Sequence, residues 1–478
     1  MRPSFSYKTK PYRHQTEAER RAAGRAFFAF FMEMGTGKTK VIIDEMSRLW
    51  CEGLIDCAVI YAPKGVYLNW IAELQVHMGI PYHALPWVSG GGNREQQREL
   101  AQLVEPDDTR LRILIVNVEA LSTKGVALKF VERFCQSGRS YQSLDESTVA
   151  KNPTATRTKN LVKLATVAVY RRIATGSPTP NSPLDLFSQF EFLQSGSLGH
   201  RSYFNFKKRY AVQQQKIFGG RRVNVVVGYR NIPELKEAVE PHSYRVLKED
   251  CMDLPPKVYR MLNVDLTDEQ SRMYRAMRDN AFVEFEGGFT SSTQAIVTLT
   301  RLQQIVCGHI ADEDGDVHSI KSNRVSAMME DLEGVSGGTI VWSRWRHEIA
   351  ATVEALRSAY GEESVAEYHG GNTNTREDDA RRFINSDRCR FMVSTQQSGG
   401  YGNTWLKGTY TYYMSNSFNL EHRVQSEDRP HRGGQTEKCT YTDLRAIGTV
   451  DERLIAALRA KINVAASIQG EDPRAWLV

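Results

Sequence analysis

Apolar residues gather in short unbroken runs, separated by stretches of helical period. Runs at Phe27–Met32, Ala58–Ala62, Ile113–Val118 and Val167–Ala174 predict buried strands in the first half. Runs at Thr339–Trp342, Ser364–Tyr368, Arg390–Ser394, Tyr410–Met414 and Cys439–Asp443 predict them in the second. Helical patterns fall between, among them His347–Tyr360, Arg376–Ile384 and Asp451–Lys461. Alternation of this kind predicts parallel sheets covered by helices. Residues 196–318 break the rhythm: they are rich in Arg, Lys and Gln, show few strand runs, and are punctuated by Gly219-Gly220, Pro255-Pro256 and Gly287-Gly288. The expected architecture is α/β, with parallel-sheet lobes over 1–195 and 319–478 and a helical insertion over 196–318 between them.

The first run feeds directly into Met32-Glu33-Met34-Gly35-Thr36-Gly37-Lys38-Thr39, and apolar Ile42, Met46 and Leu49 then follow at helical spacing. A strand, a glycine loop and a helix beginning at Gly-Lys-Thr form a phosphate cradle. Gly35 and Gly37 let backbone N–H groups curl around a polyphosphate, with Thr36 between them. The helix N-terminus adds partial positive charge, Lys38 reaches the terminal phosphates, and Thr39 offers a hydroxyl to Mg²⁺. The strict pattern has Gly where Met32 stands, so the match is partial. Only the first half carries such a loop.

Composition narrows the class. The chain has 478 residues, 41% hydrophobic and 25% charged, which is ordinary globular usage and too long for one core. The longest apolar run, Ala26–Met32, is too short to span a bilayer, and no apolar core follows Arg2, Lys8 and Lys10 to make a secretion signal. No membrane association is expected. Seven scattered cysteines without a Cys-x-x-Cys pair argue against a zinc site or a disulfide framework and for a reducing, cytoplasmic-type compartment. A formal charge of +6 permits a polyanionic partner, and Lys207-Lys208-Arg209, Arg221-Arg222, Arg344 with Arg346, and Arg381-Arg382 are local basic groups.

Asp145-Glu146 follows Tyr141-Gln142-Ser143-Leu144, a poorly apolar strand. Phosphoryl transfer to water needs one carboxylate to hold Mg²⁺ and a second group to orient the water. Asp145 is assigned to the metal and Glu146 to the water. Trp70, Trp342 and Trp345 read as core residues, and His369 as structural.

Taken together, these segments resemble the Swi/Snf-type motor ATPases of helicase superfamily 2, over about residues 11 to 461. Pro11-Tyr12-Arg13-His14-Gln15 is similar to the glutamine motif that recognises adenine, with Gln15 in the key place. Ala62-Pro63-Lys64 with Asn69-Trp70 resembles a nucleic-acid-contact motif. Asp145-Glu146-Ser147 with Lys151-Asn152 resembles the metal motif, and Ala174-Thr175-Gly176-Ser177-Pro178 with Asn181 the coupling motif. Arg245-Val246-Leu247-Lys248, Leu254-Pro255-Pro256-Lys257, Gln270, Tyr274 and Arg301-Leu302-Gln303-Gln304-Ile305 resemble the family's link between lobes. Ile340–Ser343, Tyr368-His369-Gly370 and Ser398-Gly399-Gly400-Tyr401-Gly402 fit in order. Gln425, Asp428, Arg429, His431, Arg432, Gly434 and Gln435 resemble the closing arginine motif. Two departures stand out. Ser147 occupies a place usually held by Ala or Gly, so a coupling contact is expected to be lost. Pro430 disfavours helix at Arg429.

The resemblance implies two RecA-like lobes and an ATP-dependent DNA translocase, an ATP hydrolase using Mg²⁺, that moves on double-stranded DNA. It implies that Gln15, Gly35, Thr36, Gly37, Lys38 and Thr39 hold ATP and that Arg432, with Arg429, stabilises charge on the γ-phosphate from the second lobe. Thr175, Ser177 and Gln425 would couple the lobes. Nucleic-acid contacts would fall at Lys64, Asn69, Val118-Glu119, Ser343, Ser398, Gly399 and Gly400, mainly to phosphate. A strand-separating DNA or RNA helicase and an ATP-gated DNA clamp are the competing readings. Target selection falls to the insertion or to a protein partner. A compact motor without accessory modules suits a bacterium or a virus-infected host.

Overall fold

A computed structural model of the chain describes residues 2–455, apart from 65, 89–91, 124, 181, 219–220, 287–291, 313–315, 400–403, 418 and 453. Two compact units are present. The first runs to Ala211 and includes Tyr229–Asp253; the second takes in Val212–Gly228 and the chain from Leu254.

The first unit is built on β1 (Phe27–Met32), β2 (Cys57–Ala62), β3 (Tyr82–Pro86), β4 (Leu111–Asn117), β5 (Ser140–Asp145) and β6 (Tyr170–Ala174). Next in the chain come β7 (Ala211–Phe218) and β8 (Arg221–Tyr229), which fall almost wholly in the second unit, and β9 (Ser243–Val246) then completes the main sheet of the first. Its order is β3-β4-β2-β5-β6-β1-β9, and every neighbouring pair is parallel. Strands β3 and β9, which no apolar run marks, lie at the two edges of this sheet, and pairing rather than composition makes them strands. The exception is β5, which is central and buried along its whole length despite its sequence Ser-Tyr-Gln-Ser-Leu-Asp. Two of its polar side chains are bonded inside: Gln142 Nε2 donates to Leu164 O at 2.9 Å, and Tyr141 Oη donates to Glu45 Oε2 at 2.9 Å.

The second unit opens with β10 (Lys257–Asn263) and a small antiparallel ribbon, β11 (His309–Ala311) with β12 (Val317–Ser319). Its main sheet adds β13 (Gly338–Trp342), β14 (Val365–Tyr368), β15 (Phe391–Ser394), β16 (Gly408–Tyr413) and β17 (Cys439–Arg445). The order is β10-β17-β16-β13-β15-β14, again parallel throughout. The chain between residues 196 and 318 therefore carries helices and also strands. Of these strands, β9 joins the first sheet and β10 the second. The helix expected over 451–461 falls largely outside the described residues. Among the described residues, no helix is long and apolar enough to cross a membrane.

The helix Arg13–Ala22 packs on the helix Lys38–Cys51 through Gln15, Ala18, Glu19 and Ala22, which share one face at helical spacing. Glu19 is buried there beside Asp44, and its Oε2 accepts from Tyr7 Oη at 3.0 Å. Burial, and then the charge of Asp44, pushes its carboxyl up to about 7. The folded protein takes up this proton as pH falls through about 7, the unfolded chain only nearer the ordinary value of about 4.3. The stability linked to it is present at low pH and lost as pH rises through about 7. Glu19→Gln is expected to raise unfolding free energy at pH 8 by about 1–2 kcal/mol and to flatten the pH dependence between 5 and 8, measured by denaturant titration.

Candidate active site

Three strand ends make the site. In the sheet β6 lies between β5 and β1, and Ala174 is level with Asp145 on one side and Phe30 on the other. The loops leaving the carboxyl ends of β1, β5 and β6 therefore meet, which is where open parallel sheets bind ligands.

The loop after β1 is shaped by Gly35 and Gly37, with φ of 87° and 84°. Gly37 is the residue before the Lys38–Cys51 helix and offers no side-chain cap, leaving the first N–H groups for a ligand. The loop is pinned from outside by the first helix. His14 Nε2 lies 2.8 Å from Thr36 O, and Gln15 Nε2 donates to the same carbonyl at 3.2 Å. Gln15 Oε1 accepts from Tyr12 N at 2.9 Å. Gln15 is buried, and a Cβ at residue 37 would lie 2.1 Å from its Nε2. Lys38 is buried and Thr39 half-buried.

Asp145 ends β5, and Glu146 turns the chain with a left-handed φ of 46°, a strained conformation for a residue with a side chain. Both are buried. Lys38 Nζ lies 3.7 Å from Glu146 Oε1, and Thr175 Oγ1 donates to Glu146 Oε2 at 3.1 Å. Asp145 Oδ1 accepts from Glu146 N at 3.0 Å, and Oδ2 from Trp70 Nε1 at 3.1 Å. Burial and the charge of Glu146 raise the Asp145 carboxyl above the usual range, against the pull of Lys38 and Trp70. A buried carboxylate held near one lysine and lifted in this way gains from a cation. Among the described residues, no group of three or more His, Cys, Asp and Glu is placed to hold a metal. This donor set fits Mg²⁺, which takes one or two protein oxygens and completes its shell with phosphate and water.

Other segments brace the site. Thr175 is buried, and its Oγ1 also accepts from Ser177 N at 3.2 Å. Ser147, expected to have lost a coupling contact, donates to Gln189 Oε1 at 2.6 Å; Gln189 Nε2 donates to Pro178 O at 2.7 Å. Arg245 of β9 donates through Nη1 to Gly176 O at 2.8 Å and to Phe31 O at 3.3 Å. Glu33 accepts from Lys248 N at 2.7 Å and lies 3.9 Å from Arg245 Nη2. A buried ion pair, Arg172 Nη2 to Glu45 Oε1 at 2.6 Å, ties β6 to the Lys38–Cys51 helix. Sequence reasoning missed Gln189 and Glu45, and it read Trp70 as core. The only signal for the first two is that they are polar residues inside apolar surroundings.

Lys64 and Asn69 are exposed beyond β2, and Glu119 Oε2 accepts from Lys64 N at 3.2 Å. In the second unit, Gln425 lies buried on the helix Leu420–Glu427, which ends two residues before Arg429, as Pro430 requires. Arg429 is fully buried, and its O accepts from Trp405 N at 3.1 Å. Arg432 is half-buried and donates to Thr404 Oγ1 at 2.8 Å. Ser343 is fully buried with its N–H on Ser394 O, so it presents no surface for a phosphate. Ser398 is half-buried. Gly399 is buried, and a Cβ there would stand 2.4 Å from Ser394 Oγ and 2.7 Å from Trp342. Asn181 and Gly400 lie outside the described residues. Arg423 is bonded to Glu427 at 2.7 Å, to Asn416 at 2.9 Å and to Asp443 Oδ2 at 2.9 Å.

A family model described as the SNF2-related domain matches residues 28–310. The curated protein CHROMATIN REMODELING 24 of Arabidopsis thaliana is 23% identical over 480 residues, covering 88% of this chain and 42% of its own length. The uncharacterized ATP-dependent helicase MG018 of Mycoplasma genitalium is 23% identical over 449 residues, covering 92% of this chain and 40% of its own. The chain thus spans less than half the length of these relatives. The solved Sulfolobus solfataricus SWI2/SNF2 ATPase core in complex with dsDNA covers 98% of this chain and 96% of its own, at 22% identity and a TM-score of 0.43.

Gln189 satisfies two buried segments at once. Gln189→Leu is expected to lower unfolding free energy by about 1–3 kcal/mol, because Ser147 and Pro178 O lose their partner inside the fold. Ser147→Ala should cost about 1 kcal/mol or less, since Gln189 keeps its bonds to Pro178 and Asp185. Chemical denaturation of both variants checks the order.

Proposed function

The chain belongs to the SNF2-related domain family, and on that premise we propose that it is an ATP-dependent translocase on double-stranded DNA. The observation that carries this reading is the meeting of Lys38, Asp145, Glu146 and Thr175 at the ends of three adjacent strands. Lys38 and the glycine-loop N–H groups hold the β- and γ-phosphates. Glu146, steadied by Thr175, orients the water for in-line attack and takes its proton. Thr39 and Asp145 would hold Mg²⁺, which would supply neutralisation of charge on the transferring phosphate. Arg432 is our candidate for the arginine that meets charge on the departing γ-phosphate; Arg429 has no exposed surface.

The same carboxylate reports the state of the nucleotide. Glu146 is bonded to Thr175, Thr175 to the next loop residues, and that loop to Arg245 on the strand that leads out of the unit. Loss of the γ-phosphate changes what Glu146 faces, and the bonded path carries the change to the link. DNA contacts mainly to phosphate follow from this use, with Lys64 and Asn69 the exposed candidates. We place the chain in a reducing, cytoplasmic compartment on its seven scattered cysteines without a Cys-x-x-Cys pair. The competing clamp reading rests on Ser147, which bonds Gln189, and on Pro430, which ends the helix before Arg429.

Steady-state ATP hydrolysis is to be measured without polymer and with duplex DNA, single-stranded DNA or RNA at two salt concentrations. Strong stimulation by duplex DNA that fades with salt is expected. Preference for single strands or RNA would give the unwinding helicase instead, and DNA binding without stimulation the clamp. Lys38→Ala is expected to abolish turnover with the fold intact. Glu146→Gln should still bind ATP while hydrolysing it about 10²-fold or more slowly.

A further inference from the structure

Trp70 touches the site, yet the chemistry above gives it no part. The residue is 2% exposed, and its ring lies in the core of the first unit. Its Nε1 donates to Asp145 Oδ2 at 3.1 Å. Packing alone does not call for that bond. Trp50, Trp342 and Trp405 are buried as deeply, and among the described residues their indole N–H groups meet no hydrogen-bond partner. Asp145 Oδ1 accepts from Glu146 N at 3.0 Å. Each oxygen of the carboxylate therefore has one donor, the first from the next residue and the second from a separate element. Rotation of the carboxyl plane breaks one of the two bonds. That plane decides which lone pairs are left for a cation.

The same residue opens the helix Asn69–His77, directly after the exposed Asn69. The turn that leads into this helix is hydrogen-bonded. Pro63 O accepts from Val66 N and from Tyr67 N, both at 3.0 Å, and Val66 O accepts from Asn69 N at 3.0 Å. Lys64 N, at the start of the turn, donates to Glu119 Oε2 at 3.2 Å. Val66, Tyr67 and Ile71 pack against the core that holds the Trp70 ring. A segment bonded and packed in this way shifts as a body. Lys64 and Asn69 on its outside and the indole N–H on its inside are parts of that one body.

We propose that Trp70 is a positioning residue for hydrolysis, through which duplex DNA at Lys64 and Asn69 acts on the Asp145 carboxylate. The proposal rests on the translocase reading above, from which it takes Asp145 as a Mg²⁺ ligand and Lys64 and Asn69 as phosphate contacts. It adds the path by which DNA speeds turnover. A phosphate held across Lys64 and Asn69 fixes the turn, and with it the indole that sets the carboxyl plane. Removing such an outer donor typically costs about 10- to 100-fold in metal affinity or activity. The N–H is what matters here, and the bulk of the ring is not.

The test uses the full chain with its seven tryptophans labelled by ¹⁵N at the indole nitrogen. Trp70→Phe keeps a ring in the core, removes the N–H and identifies the Trp70 signal. Mn²⁺ with ATP, added to the parent, should broaden that signal before the others. A short duplex, added without nucleotide or metal, should shift it. Lys64→Ala with Asn69→Ala leaves Trp70 in place and should lose this shift at duplex concentrations that still saturate the protein. Trp70→Phe should need at least about 10-fold more Mg²⁺ for half-maximal hydrolysis and be stimulated less by duplex DNA, while binding a fluorescent ATP analogue in EDTA as the parent does. A role in packing alone would leave the Mg²⁺ requirement at the parent's value and overturn the proposal. A Trp70 signal that ignores saturating duplex would overturn it as well. If Mn²⁺ fails to broaden the signal, or the parent binds no duplex, the reading on which the proposal rests fails first. If both hold and the duplex leaves the signal in place, only the role of Trp70 fails.

Discussion

The registration of β5, β6 and β1 is the constraint on which the active site depends. Each strand delivers one chemical group to its carboxyl end: the glutamate pair partner, the threonine that bonds it, and the loop that leads to the lysine. A slip of one residue in β6 would turn its whole side-chain set to the other face and carry Thr175 away from Glu146. The buried Arg172–Glu45 pair acts against such a slip, since it crosses from β6 to the helix that begins with Lys38. Breaking one partner of a buried pair leaves an uncompensated charge, a loss of about 3–5 kcal/mol. The pair therefore holds a register that apolar packing would specify less sharply.

Legibility in the sequence follows the distance over which a feature is made. The glycine loop is local, and its residues, strand and helix are contiguous, so both its place and its φ requirements at Gly35 and Gly37 could be read. Strands β1, β2, β4, β13 and β15 were legible because parallel strands buried on both faces show as unbroken apolar runs. Strand β3, with no fully buried residue, and the late β9 and β10 carry no such run, and pairing with a distant neighbour defines them. Trp70 bonds a residue 75 positions away, Gln189 one 42 away, and Arg245 one 69 away. No window of sequence contains both ends of such a contact.

The second unit shows the limit of motif reading more sharply. Arg429 and Arg432 lie three residues apart, yet one has no exposed surface and the other is half-open. Spacing said both were present; only the turn after the Leu420–Glu427 helix decides which faces out. Arg423, which the motif did not single out, joins Glu427, Asn416 and Asp443, and Asn416 O in turn accepts from Gln303 at 2.8 Å. Arginines in this stretch divide between structure and chemistry.

Gly37 and Gln15 share one small space, in which the amide of one fills the place of a side chain on the other. Their histories are consequently joined. A lineage could leave glycine at 37 only after residue 15 had shortened, and that first step would already have given up a tie on the loop. Each path passes through an intermediate worse than either end. The dependence of these positions, 22 residues apart, therefore runs one way: a descendant that has left glycine at 37 will have changed residue 15 as well.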